Sequence, residues 1–243
     1  MDLPNEKTFL LEPLGIEQLV LVPFNKNLAS KSAETFVEEV LVKTLHAKHI
    51  AVGENFKFGR NREGDTSTLK KIGTSLGIKI SIVPIVEDNH GRLSSSRVRK
   101  ALNDGDLKHA KYLLKRPYTF RGTVEKGRGL GKKIGWPTAN LKIDGRKFLP
   151  SLGVYAAWAS IANKKERFLA VMNMGPQPTI DPNSLSAVEV HLLDKEINLL
   201  GHELIIEPVQ RIRLQKKFEN IDALSEQISL DAILAKEILT KKL

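Results

Sequence analysis

The chain has 243 residues, 41% of them hydrophobic, which is enough for two modest domains, each with its own core. No uninterrupted apolar run approaches the ~20 residues that span a bilayer, and polar residues rather than a signal peptide follow Met1, so a cytoplasmic protein is expected. Absence of cysteine excludes a disulfide framework and thiolate chemistry, and a net charge of +10 suits a polyanionic ligand without choosing between nucleotide and nucleic acid.

The first half alternates between helical and strand patterns. Helical spacing runs over Asn5 to Leu14, and Gln18 to Phe24 (QLVLVPF) reads as a buried strand. Ser32 is placed to cap a helix reaching about Leu45, with Phe36, Val37, Val40 and Leu41 on its apolar side. A short strand at His49 to Gly53, a helix over Asp65 to Leu76 and a strand at Lys79 to Ile85 follow. Such alternation predicts a parallel sheet with helical crossovers. Ser94-Ser95-Ser96 opens a further helix, Asn103-Asp104-Gly105-Asp106 is a turn, and Leu107 to Leu114 reads as a connector helix.

Beyond Arg116-Pro117 the pattern changes to short strands separated by Gly, Pro and Asn: Tyr118–Val124, Gly153–Ile161, Phe168–Met174, Ala187–Leu193 and Leu204–Val209. Strands without intervening helices predict an antiparallel barrel or sandwich. A helix over Asp222 to Leu239, with Leu224, Ile228, Leu234 and Ile238 on one side, closes the chain.

Within this second half, residues 127–135 hold four glycines (Gly127, Gly129, Gly131, Gly135) and three basic residues (Arg128, Lys132, Lys133). Glycine backbone can approach a ligand closely and turn successive N–H groups on an anion, so the run suits a polyphosphate. Its spacing matches neither a P-loop nor the G-x-G-x-x-G dinucleotide fingerprint. Pro137-Thr138-Ala139-Asn140-Leu141 reads as extended, placing Thr138 and Asn140 on one face, where a hydroxyl and an amide oxygen could share a hydrated Mg²⁺ with nucleotide oxygens. The same residues also describe a glycine-rich hairpin with solvated lysines. In Ala187 to Asp194 (AVEVHLLD), Glu189 shares a face with His191 and Leu193, and a mid-strand carboxylate of this kind is either catalytic or a solvent-face residue.

The segment from Gly127 to Asn140 resembles the G-R-G-x-x-x-x-G-x-P-T-A-N signature of riboflavin kinases, and the strand around Glu189 resembles their E-V-H-L-L-D. The resemblance implies a Greek-key barrel that transfers phosphate from ATP to riboflavin, giving FMN. It places Mg²⁺ on Thr138 and Asn140, the glycine loop with Pro137 over the ATP phosphates, and the catalytic base at Glu189, with His191 structural. Asn173-Met174-Gly175-Pro176-Gln177-Pro178-Thr179 resembles the family's N-I-G-x-R-P-T, with Gln177 in place of arginine. Arg213 to Phe218 resembles L-R-x-E-x-K-F, a run that closes near the flavin, with Gln215 in place of glutamate. On this resemblance Arg213 joins the ligand-binding set.

The first half resembles the adenylyltransferase module of bacterial bifunctional riboflavin kinase/FAD synthetases. Val52 to Gly59 matches V-G-x-D-F-x-F-G with Asn55 for Asp, followed by Phe56, and Ser94 to Arg99 matches S-S-T-x-I-R, assigning Ser95, Ser96, Arg97 and Arg99 to a nucleotide-handling remnant. The H-x-G-H arrangement that stabilises charge in adenylyl transfer occurs nowhere among the six histidines, so the chain is expected to begin partway through that module. The division expected is residues 1–116, a partial Rossmann-like α/β domain with its connector helix, and residues 117–243, the kinase barrel with its C-terminal helix. The reading adopted is a riboflavin kinase, with the full bifunctional enzyme, a basic nucleic-acid-binding barrel and a non-catalytic scaffold as alternatives. For the first, small-molecule substrates are expected and neither nucleic acid nor membrane; oligomeric state is left open.

Overall fold

The structure is a computed structural model describing residues 2–127, 129–175 and 187–241; for residues 130, 133 and 187 only the backbone is described. Two compact units form, one from residues 17–93 and the other from residues 2–16 together with 94–241.

The chain opens with α1 (Pro4–Leu11), started by Pro4 and by the Glu6 carboxylate, which accepts from the Leu3 N–H (2.8 Å), and a 3₁₀ turn at Glu12–Leu14 follows. In the 17–93 unit come α2 (Lys26–Ala29) and α3 (Ala33–Thr35), which runs on into a wider-wound π-helical stretch over Phe36–Thr44. Ser32 caps that helix through its hydroxyl, which accepts from the Thr35 N–H at 3.1 Å. Strand β1 (His49–Gly53), α4 (Thr66–Ser75) and β2 (Lys79–Val83) form a β-α-β unit whose strands pair in parallel, Ile50 opposite Ile80. A two-residue hairpin, β3 (Glu87–Asp88) and β4 (Gly91–Arg92), ends the unit. Its core joins Ala33, Val37, Phe58, Leu69 and Ile72.

The strand expected at Gln18 to Phe24 does not form. Residues 16–25 carry no regular structure, and Val20, Leu21, Val22 and Phe24 are exposed. A strand exists only through its ladder partner. The parallel sheet of this unit consists of β1 and β2 alone, and neither pairs with this run.

In the other unit, α5 (Ser95–Asn103) and α6 (Leu107–Leu114) pack as a helical hairpin, capped by Ser94 and Asp106. Then come β5 (Phe120–Glu125), α7 (Leu130–Lys133), β6 (Ala139–Lys142), β7 (Gly153–Ile161), β8 (Arg167–Gly175), β9 (Ala187–Leu192), β10 (Glu203–Arg213) and α8 (Ile221–Thr240). The six strands β5 to β10 close into an antiparallel barrel in the order β10-β5-β6-β9-β8-β7. Pairing of β6 with β9 rather than β7 makes it a Greek-key arrangement, as expected. Alternate residues fill the interior: Tyr155, Ala157 and Ala159 of β7, Met172 and Met174 of β8, Val188 and Val190 of β9 are all buried.

The opposite face of β7 and β8 is buried too, because α8 covers it. Val154, Ala156, Val171 and Leu193 pack with Ala232, Ala235 and Leu239. Leu234, expected on the contact side, is 41% exposed, while Asp231 is 2% exposed. Its burial is compensated by Arg213, whose guanidinium donates to both carboxylate oxygens at 2.8–3.0 Å, and by the Gln227 amide at 3.1 Å. Helix α1 is tied to the same unit through Lys147, a fully buried ammonium 2.6 Å from Glu6 and 4.8 Å from the Tyr118 ring centre. Burial pulls the Lys147 pKa down and the Glu6 contact opposes that shift.

Candidate active site

Pro137 has no N–H to give to a ladder, and β6 begins two residues later at Ala139, with Thr138 just before the strand and Asn140 within it. Register then places the chemistry. Asn140 of β6 lies directly opposite Glu189 of β9, and Glu189 lies directly opposite Asn173 of β8. Directly paired residues share a face, with Cβ atoms about 4.5–5.5 Å apart. Asn140, Glu189 and Asn173 therefore form one polar row on the outer wall, beside the part that α8 covers.

The glycine loop is folded onto the start of this row. A Cβ on Gly127 would lie 2.0 Å from the Asn140 Nδ2 and 3.1 Å from its Oδ1, so only glycine lets the chain cross the amide this closely. A Cβ on Gly131 would lie 2.2 Å from the Trp136 carbonyl oxygen and 3.4 Å from the Thr138 hydroxyl. Between them Gly129, at φ +69°, starts the single helical turn α7, and the Trp136 N–H closes the loop on the Gly131 carbonyl at 2.8 Å. The sequence suggested a loop or hairpin here, not a helical turn. Lys132 is exposed on that turn; Arg128 and the Lys133 side chain lie outside the described residues.

His191 takes the structural place expected of it. Its Nδ1–H donates to the Pro137 carbonyl at 2.7 Å, since a carbonyl oxygen only accepts, and its ring meets Trp136 edge-on at 5.1 Å. Trp136 in turn donates to the Ser225 hydroxyl of α8 at 3.4 Å. The loop is thus held to β9 on one side and to α8 on the other. Arg213 ends β10 on the same outer face, in register with Val154, and its guanidinium is committed to Asp231 and to the Leu214 carbonyl.

Two contributors were given no role by sequence. Asn173 is the one polar residue in the run Phe168 to Met174, and that break in an apolar strand was the available signal. Gln215 reaches it from beyond β10, its Nε2 donating to the Asn173 Oδ1 at 2.7 Å and to the Met174 carbonyl at 2.8 Å. Gln177, with the rest of its motif beyond Gly175, lies outside the described residues.

Asn140, Thr138 and Glu189 offer an amide oxygen, a hydroxyl and a carboxylate, all hard oxygen donors of the kind Mg²⁺ takes. Among the described residues no cluster of three or more His, Cys, Asp or Glu could hold a metal without other ligands. Thr138 and Asn140 under a glycine cradle fit a hydrated ion completed by phosphate oxygens.

In the 17–93 unit, Asn55 follows β1 and its amide oxygen accepts from the Arg92 guanidinium at 2.9 and 3.3 Å in the orientation that satisfies both groups. Phe56 stacks on Phe58 at 5.3 Å. In the other unit, Ser95, Ser96 and Arg97 form the first turn of α5, and Arg99 donates to the Ser96 hydroxyl at 3.3 Å.

The Greek-key barrel thus brings together a glycine loop, a Thr/Asn strand and a glutamate strand. The sequence pattern of the family described as riboflavin kinase matches residues 114–239, and that described as FAD synthetase matches residues 1–97. A bifunctional riboflavin kinase/FMN adenylyltransferase from Haemophilus influenzae is 36% identical over 237 residues, covering 95% of this chain and 74% of the relative. Its counterpart from Escherichia coli K12 is 36% identical over 239 residues, covering 97% and 75%. A crystal structure described as a macrolide-efflux protein from Streptococcus pneumoniae superposes with a TM-score of 0.84 at 31% identity, covering 96% of this chain and 74% of that one. The chain belongs to the riboflavin kinase/FMN adenylyltransferase family. Among the described residues, no helix is long and apolar enough to cross a membrane.

Proposed function

We propose that this chain is a riboflavin kinase, converting riboflavin and ATP to FMN and ADP. The observation that carries the reading is the register of Asn140 against Glu189 with Gly127 laid over the Asn140 amide. Phosphoryl transfer needs alignment and charge neutralisation more than covalent chemistry by the protein. Gly127, Arg128, Gly129, Gly131, Lys132 and Lys133 surround the phosphates, with Pro137 fixing the turn into β6. Thr138 and Asn140 would hold Mg²⁺, which would supply charge neutralisation for the phosphates. Glu189 takes the proton from the terminal ribityl hydroxyl as its oxygen bonds to the γ-phosphorus and the bond to the β-phosphate oxygen breaks. Arg213 serves the flavin side by pinning the segment 214–218 to α8 through Asp231.

General-base assistance contributes on the order of 10²–10⁴-fold, so Glu189→Gln is expected to lose that factor in turnover while keeping ATP affinity. Unchanged turnover in that variant removes Glu189 from the role. We place the boundary between modules near residues 116 and 117 and the protein in the cytoplasm, acting on small molecules rather than nucleic acid.

A second reading, the bifunctional enzyme, is favoured by the FAD synthetase match over residues 1–97. Asn55, Phe56, Ser95, Ser96, Arg97 and Arg99 would then handle a second ATP. FAD appearing after FMN in a timed reaction supports it, and FMN accumulating alone counts against it.

A further inference from the structure

His191 does for the entry to β6 what the ladder does for the strand itself. The β6–β9 ladder begins with Ala139 opposite Val190 and continues with Asn140 opposite Glu189. One step outside it, the register sets Thr138 against His191, and Pro137 has no N–H with which to extend the pairing. The Pro137 carbonyl is taken instead by the His191 side chain, whose Nδ1–H donates to it at 2.7 Å. The Pro137–Thr138 peptide is trans, so its carbonyl and N–H point opposite ways in one plane. This one bond therefore sets that plane, and with it the direction in which the Thr138 side chain leaves the backbone.

The ring that makes the bond is itself held. Trp136 meets it edge-on at 5.1 Å, with its own N–H on the Gly131 carbonyl at 2.8 Å and its indole N–H on the Ser225 hydroxyl at 3.4 Å. A Cβ on Gly131 would stand 3.4 Å from the Thr138 hydroxyl, so the glycine loop lies along the side chain that His191 directs. We propose that His191 is a positioning residue for Mg-ATP: by fixing the Pro137 carbonyl it aims the Thr138 hydroxyl at the ion beneath the glycine loop. This rests on the reading of Thr138 as a ligand of Mg²⁺.

The test is calorimetric titration of the full chain with Mg-ADP, which binds without turning over, alongside riboflavin binding followed by flavin fluorescence. The chains compared are wild type, His191→Leu, His191→Asn, Thr138→Ala and the pair His191→Leu with Thr138→Ala. Asparagine keeps an N–H near the place of Nδ1, and leucine keeps bulk without a donor. His191 is half-buried on the outer face, so the variants are expected to fold. If His191→Leu does not, His191→Gln, whose donor sits one bond too far, carries the same prediction. Loss of one neutral hydrogen bond corresponds to about fivefold in affinity. Mg-ADP binding is expected to weaken by that factor in His191→Leu with riboflavin binding unchanged, and His191→Asn to recover most of it. In the Thr138→Ala background His191→Leu costs no more. Four results overturn the role of His191 while leaving Thr138 in place: wild-type Mg-ADP affinity in His191→Leu, an equal loss for riboflavin, no recovery in His191→Asn, or a loss that adds fully to that of Thr138→Ala. Wild-type Mg-ADP affinity in Thr138→Ala overturns the ion assignment beneath it.

Discussion

At the scale of single residues, Gly127 and Asn140 are one unit, because the loop crosses the amide with no room for a Cβ. Gly127→Ala has to displace either the loop or the Asn140 side chain, a strain of about 1–3 kcal/mol by analogy with overpacked cores. Since Asn140 is the proposed ion ligand, the expected outcome is a KM for Mg-ATP raised roughly tenfold or more, with the barrel intact by circular dichroism. Unchanged nucleotide affinity would mean that Asn140 does not serve the nucleotide. The faces on which Asn140 and Glu189 lie follow from period-two alternation along each strand, while the roles assigned to Thr138, Asn140 and Glu189 came from the resemblance. Their meeting was not legible, because cross-strand register is set by pairing over distances of about fifty residues that local pattern does not encode. Asn173 and Gln215 stayed unread for the same reason, and because amide side chains carry no charge signal.

At the scale of elements, helix α4 shows how a cap ties local structure to pH. Asp65 accepts from the Thr68 N–H (2.9 Å), the Ser67 hydroxyl (2.8 Å) and the Thr68 hydroxyl (3.1 Å), in that order of effect on its pKa. These donors hold its carboxyl well below the ordinary value of 3.8. A folded pKa below the unfolded one means that the cap's contribution is complete above pH 3.8 and is lost as pH falls towards the folded value. Asp65→Asn keeps an oxygen acceptor but does not titrate. Its urea midpoint should fall less steeply than wild type between about pH 5 and pH 2; parallel slopes would remove Asp65 from the acid response. The misread elements have physical causes as well. Gln18 to Phe24 has the composition of a buried strand and finds no ladder partner. The contact face of α8 was read only in part: Ile238 packs on the core as expected, but alanines and an aspartate occupy much of the face. Asp231 is compensated there by Arg213 and Gln227.

At the scale of the whole molecule, the break at Arg116-Pro117 separates a helix–strand pattern from a strand–turn pattern, and both were readable because hydrophobic period and Gly/Pro punctuation are local properties. The barrel strands followed the sequence closely: Gly153–Ile161 is β7 as expected, and the boundaries of the other expected strands shift by at most four residues. Closure of the barrel was a different matter, since a strand list alone fits a sandwich equally well. What placed phosphate chemistry on this fold was a motif spread over the loop, β6 and β9, not the net charge of +10, which fits any polyanion.

The central claim is that the row of Asn140 and Glu189 beneath the glycine loop phosphorylates riboflavin. Its most direct test is incubation of the purified full chain with riboflavin, ATP and Mg²⁺, with flavins and nucleotides separated by chromatography over time. The prediction is FMN and ADP appearing in equal amounts, and neither appearing at a comparable rate with Glu189→Gln. A folded protein that leaves riboflavin and ATP unchanged would contradict the account.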